Sequence, residues 1–145
     1  MQDHPIRILF DECVGKPVLD AIRPVLRLRT ETFEMEHVLN FQEQGVADED
    51  WLPKYAGEGW IIITADRGMG GLSKGEKLTI VCRKLAMTHI TLSSKVHHKN
   101  NFDKTVAILS VWNDIINRVI HAEGGTRFSL RLTTSDSATL KEFER

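Results

Sequence analysis

The apolar positions of this chain form short solid runs, separated by longer stretches with a helical beat. Ile6-Arg7-Ile8-Leu9-Phe10 and Ile61-Ile62-Ile63-Thr64 are nearly unbroken, as strands covered on both faces tend to be. After the first run, Lys16-Pro17 suits the opening turn of a helix. Val18, Leu19, Ile22, Val25 and Leu26 then fall at helical spacing, with Pro24 expected to kink or split that helix. Residues 33–39 alternate Phe33, Met35, His37 and Leu39 against Glu34, Glu36 and Val38, the pattern of a less buried strand. Asp48 suits an N-cap, and Glu49 and Asp50 suit the positive end of the helix dipole. That helix is expected to run to about Gly57 or Gly59, and residues 60–64 form the next strand.

Further on, the pattern predicts a helix around 76–87, a strand at 89–93 and a polar, partly basic stretch at 94–101. The longest helix is expected over 102–122. Phe102, Val106, Leu109, Trp112, Ile116, Val119 and Ile120 repeat there at three and four, and Ile108, Val111 and Ile115 widen the stripe. Gly124-Gly125 ends it. Residues 127–133 alternate as a half-exposed edge strand, and the polar segment from Ser135 is expected to be loose. Strands and helices in alternation predict an α/β fold, a three-layer α/β/α sandwich with a mainly parallel central sheet. One domain is expected over residues 1–134, followed by a polar tail at 135–145.

Composition agrees with one folded unit. The chain has 145 residues, 41% of them hydrophobic, which suits a single core. No apolar stretch reaches the ~20 residues that cross a bilayer, so no membrane role is expected. The first residues lack the basic and apolar regions of a signal peptide. Cys13 and Cys82 are too few for a disulfide framework, and a reducing cytoplasm is the simpler expectation. Charge is uneven. Residues 1–66 hold 6 Lys/Arg against 13 Asp/Glu, and residues 67–145 hold 13 against 7. Such asymmetry is a hint of polyanion binding, although alone it describes two unevenly charged solvated faces.

The acids fall at telling places. Asp11-Glu12 closes the first apolar run, Asp66 closes the second, and Asp48 opens the helix between them. Side chains just past the carboxyl ends of parallel strands share one crevice. Carboxylates gathered there repel one another unless a cation sits among them, and Mg²⁺ or Mn²⁺ is the usual solution. Asp48 has a competing duty as a helix cap, and Glu12 is as well read facing solvent. Thr64 either supports the site by hydrogen bonding or fills a strand. Arg67, Lys74, Lys95 and Lys99 are candidate phosphate contacts, although lone basic side chains are commonly just solvated. His97-His98 has no zinc-like partners and reads as loop or RNA-contact histidine. Gly68, Gly70 and Gly71 match neither phosphate-binding nor dinucleotide fingerprints.

Three segments in order resemble the PIN-like proteins, which include the VapC-type toxins of toxin–antitoxin pairs. They are Ile8-Leu9-Phe10-Asp11-Glu12, then Gly45-Val46-Ala47-Asp48-Glu49-Asp50-Trp51-Leu52, then Ile61-Ile62-Ile63-Thr64-Ala65-Asp66. The resemblance covers roughly residues 6–70. It implies a metal-dependent ribonuclease, with Asp11, Asp48 and Asp66 holding Mg²⁺ or Mn²⁺ and Glu12 orienting the attacking water. It further implies RNA as substrate, an antitoxin protein as partner and a homodimer built on apolar faces. The chain departs from the family pattern at Gly68, where a fourth acid is usual. A catalytically degenerate RNA- or protein-binding module is therefore a second expectation. A receiver-type phospho-acceptor domain is the third; it lacks its Lys after the last parallel strand and leaves Asp48 without a task.

Overall fold

The computed structural model describes residues 5–38, 48–65 and 74–142; the side chains of 48–51 and 74–77 lie outside that description. Among the described residues the elements are β1 (Ile6–Phe10), α1 (Lys16–Leu26), β2 (Phe33–His37), α2 (Asp48–Gly57), β3 (Ile61–Ala65), α3 (Lys74–Lys84), β4 (His89–Leu92), α4 (Ser94–His97), α5 (Asn101–Ser110), α6 (Trp112–Asn117), β5 (Arg127–Leu132) and β6 (Ala138–Glu142). A short 3-10 helix, Val119–His121, precedes β5.

The six strands form one sheet in the order β2-β1-β3-β4-β5-β6. All neighbours are parallel except β5 and β6, which run antiparallel. The solid apolar runs explain the middle of this order. Strands with helices on both faces have no solvated side, and β3 and β4 are buried at every residue. Charged Glu34 and Glu36 alternate with buried Met35 and His37 in β2, which accordingly takes the outer position.

Strand alternation divides the core into two layers. Ile8, Phe10, Ile61 and Ile63 pack with Val18 and Ile22 of α1, Ala107 and Ile108 of α5 and Ile115 of α6. On the other face Leu9 and Ile62 pack with Leu52 of α2 and Leu78, Val81 and Cys82 of α3. The molecule is thus the expected α/β/α sandwich.

Four expectations are corrected. Pro24 does not split α1; it lies in its last turn, where the helix ends at Leu26. The single long helix over 102–122 is three pieces. Val111 leaves helical geometry at φ −104° and ψ 10°, and Arg118 at φ −122° starts the 3-10 turn. Both breaks keep Val111, Trp112, Ile115 and Val119 in the core as the chain bends around the sheet. The third correction concerns the polar end of the chain, which supplies β6 in the sheet. Finally, β6 covers β5, so β5 is an interior strand whose first four residues are buried. Gly124 belongs where it stands for a steric reason: a Cβ there would meet the Ala86 carbonyl oxygen at 2.5 Å.

Candidate active site

The strand order reverses at β1. From β1 the chain crosses to β2 on one side, while β3 and β4 extend the sheet on the other. In such sheets the crevice between the two central strands, beyond their carboxyl ends, is the natural binding site. Asp11 stands at that point. Its backbone N–H donates to the Ile63 carbonyl at 2.9 Å, tying the end of β1 to β3.

The Asp11 side chain is only 1% exposed. Thr64 Oγ1 donates to its Oδ2 at 2.7 Å, and Cys13 Sγ donates to the same oxygen at 3.4 Å. Cys13 Sγ also lies 3.9 Å from Thr64 Oγ1. Among the described residues, Oδ1 receives no hydrogen bond. Two donors therefore fix one carboxylate oxygen and leave the other without a donor among the described residues. That arrangement suits a hard divalent ion, whose carboxylate ligands are oriented by hydrogen bonds from behind. Thr64 is fully buried and carries out this supporting bond, one of the two readings open from sequence.

Glu12 lies half-buried in the turn after Asp11. Asp48 is the first residue of α2, but its side chain lies outside the described residues, as do Asp66 and Arg67 entirely and the side chain of Lys74. Among the described residues no group of three His, Cys, Asp or Glu gathers as a metal would require. Lys95 is exposed on α4, and Lys99 is half-buried just past it. His97 ends the single turn of α4 and His98 caps it, with their rings edge to face at 5.2 Å and His98 Nδ1 donating to the Ser94 carbonyl at 2.7 Å. The helix begins at the carboxyl end of β4, on the crevice side of the sheet.

Sequence reasoning missed two neighbours of Asp11. Cys13 entered the sequence reading only through its redox setting. A tight turn folds it back onto the carboxylate two positions earlier, with Val14 N donating to the Asp11 carbonyl at 3.0 Å. His37 is fully buried at the end of β2, in register with Phe10. Burial holds its imidazole below the ordinary value, helped by Lys16; the charges of Asp11 and Asp20 act in the opposite sense. The alternation of β2 had placed His37 on a definite face, but the pairing register that sets it beside Asp11 is not a property of either strand alone.

A parallel sheet with an acid at its switch point defines a class of crevice sites rather than one protein. The family model described as a PIN-like domain matches residues 6–79, and the chain belongs to that family. No curated protein and no solved structure matches it. The matched span includes Asp11, Asp48 and Asp66. The receiver reading had drawn on the same acids and strand ends, and family membership sets it aside.

Proposed function

We propose that this chain is a metal-dependent ribonuclease of the PIN-like type, acting as the toxin of a toxin–antitoxin pair. One observation carries the metal site: buried Asp11 at the switch point has both its side-chain donors on Oδ2. Family membership supports the nuclease, because PIN-like domains commonly cleave nucleic acid.

In this reading Asp11, Asp48 and Asp66 hold Mg²⁺ or Mn²⁺ at the mouth of the crevice. When bound, such an ion stabilises charge developing on the phosphate and lowers the pKa of water. Thr64 and Cys13 keep the Asp11 carboxylate in one orientation. Glu12 accepts a proton from the water that attacks phosphorus, and the P–O bond on the opposite side breaks. Arg67, Lys74, Lys95, His97 and Lys99 hold the RNA backbone, a role that positions substrate without reading its sequence. An antitoxin segment covers the crevice, and apolar faces serve a homodimer.

The test is cleavage of a mixed RNA pool with Mn²⁺ by wild type, by Asp11→Asn and by Thr64→Val. Asp11→Asn and EDTA should each abolish cleavage. Thr64→Val keeps the volume but loses the donor, and should lower Mn²⁺ affinity or activity by about 10- to 100-fold. A second reading, a binding module without catalysis, is favoured by Gly68 in place of a fourth acid. Folded wild type that binds RNA without cutting it, and still does so as Asp11→Asn, would select that reading. A Mn²⁺-soaked crystal with Asp11, Asp48 and Asp66 on different ions would end the shared-site assignment.

A further inference from the structure

Strand β2 is the outermost of the parallel strands, and among the described residues no strand pairs with its far side. Ile6 N donates to the Thr32 carbonyl at 2.9 Å, so Thr32 turns its backbone groups toward β1. Alternation along a strand then turns those of Phe33 and Met35 away from β1, to the open edge. Arg23 shows the same direction: its Nη2 donates to the Met35 carbonyl at 3.2 Å, from α1. The N–H groups of Phe33 and Met35 have no such partner among the described residues. An edge of this kind is a template for a further strand.

Both faces of the edge are grooved. On the α1 face a cavity of about 520 Å³ is lined by Leu26, Phe33, Met35, Arg23, Arg27 and Arg29. Arg29 is taken up by Glu31 at 2.7 Å. A second cavity, of about 650 Å³, wraps the edge onto the α2 face, where Glu34, Glu36, Lys54, Tyr55, Glu58 and Trp60 line it. Glu34 meets Arg7 of β1 at 3.3 Å. Glu36 is exposed and in register with Leu9, so β1 offers it no charge. Grooves on opposite faces of one open edge suit an added strand, whose successive side chains point into each in turn.

We propose that β2 takes up an extended protein segment as an added strand, with lysine or arginine at alternate positions opposite Glu34 and Glu36 and apolar side chains between them. Charge selects this occupant. In a second copy, antiparallel pairing centred on Met35 sets Glu34 opposite the copy's glutamate at 36, twice over. Pairing centred on Glu34 or on Glu36 sets that glutamate opposite itself. Like charges directly opposite destabilise a strand pair, and charged edges block self-pairing in this way. A polyanion meets the same two glutamates. Basic side chains turn both into attractive cross-strand pairs, and the apolar ones between them meet Leu26, Phe33 and Met35. The proposal does not rest on the ribonuclease reading: Phe33 and Met35 lie short of the carboxyl end of β2, whereas Asp11 follows the carboxyl end of β1.

The test uses a short capped peptide of alternating lysine and valine, its glutamate–valine counterpart, and the lysine peptide N-methylated throughout. Amide exchange of the full chain is followed by NMR. The Phe33 and Met35 N–H groups should exchange fast in the free protein and slow when the lysine peptide is added. The methylated peptide keeps the charge but has no N–H to donate, and should not bind. Glu36→Lys, a change at an exposed side chain, should weaken the lysine peptide about fivefold and tighten the glutamate one. Exchange at Phe33 and Met35 that stays fast at millimolar lysine peptide overturns the proposal. Equal binding by the methylated peptide, or no effect of Glu36→Lys, overturns it too, since charge alone or another surface would then hold the peptide. Slowing that rises with protein concentration alone makes the occupant a second copy, and slowing by a short oligoribonucleotide but not by the peptide makes it RNA; either result also overturns the proposal.

Discussion

Asp11 and His89 are both buried, and each has polar partners. Asp11 accepts from Thr64 and Cys13. Around His89 the partners favour a neutral ring. The Met87 carbonyl, 3.0 Å from Nδ1, can only accept, so Nδ1 carries the proton; Thr79 Oγ1 then donates to Nε2 at 3.1 Å. Burial depresses this imidazole to about 4, and the positive charges of Arg127 and Arg83 push the same way, while the bond to Met87 opposes them. The consequence for stability has a definite sign. Above about pH 6.5 neither the folded nor the unfolded ring is protonated, and His89 leaves stability unchanged. Between about 6.5 and 4 the unfolded chain takes up a proton that the folded one refuses, so stability falls as pH falls. The full loss by pH 4 is of order 3 kcal/mol from this residue. NMR should show the His89 ring neutral at pH 5, and the urea midpoint should drop between pH 7 and pH 5. A His89 resonance that titrates near 6.5 would remove the effect.

At the scale of elements, the polar end of the chain becomes a strand because one apolar residue anchors it. In Ala138-Thr139-Leu140-Lys141-Glu142 only Leu140 is deeply buried, at 3%. It lies opposite Leu130 of β5 and joins the layer of Phe128 and Ile108. One large apolar residue and one alanine among polar ones give too weak a period-2 signal to separate a strand from a tail. The missed element thus differs from β1 and β3, whose consecutive apolar residues identify them. The break at Val111 was hidden for the opposite reason. Its apolar stripe is continuous through all three helical pieces, and tertiary curvature divides them. Leu140→Ala should cost about 2–4 kcal/mol, as removal of a large core side chain does, and should lower the urea midpoint without changing the slope. A cost near zero would mean that β6 is only draped on the sheet.

At the scale of the molecule, the charge split and the strand order have to be read together. The acid-rich residues 1–66 carry Asp11, Asp48 and Asp66, and the basic residues 67–145 supply α3, α4, α5, α6, β4, β5 and β6. Sequence made the acids visible because each closes or opens an element. It left the basic side chains ambiguous, since a lysine in a polar run has the same pattern whether it faces RNA or water. On the proposed reading the choice narrows for two of them. Lys95 and Lys99 follow the carboxyl end of β4, next to the carboxyl end of β3, so RNA lying across the crevice passes them. In the proposed complex, four contacts from Arg67, Lys74, Lys95 and Lys99 correspond to a slope of log affinity against log salt near −3 for a single strand. Replacing Lys95 and Lys99 together by Gln should flatten that slope by about 1.4. It should also weaken all sequences alike, because backbone contacts carry no base preference. Lys141, on the far outer strand β6, gives the control, and Lys141→Gln should leave the slope unchanged. If Lys141 moves the slope and Lys95 with Lys99 does not, the RNA runs along the outer edge of the sheet, and the acids at the switch point do not act on it.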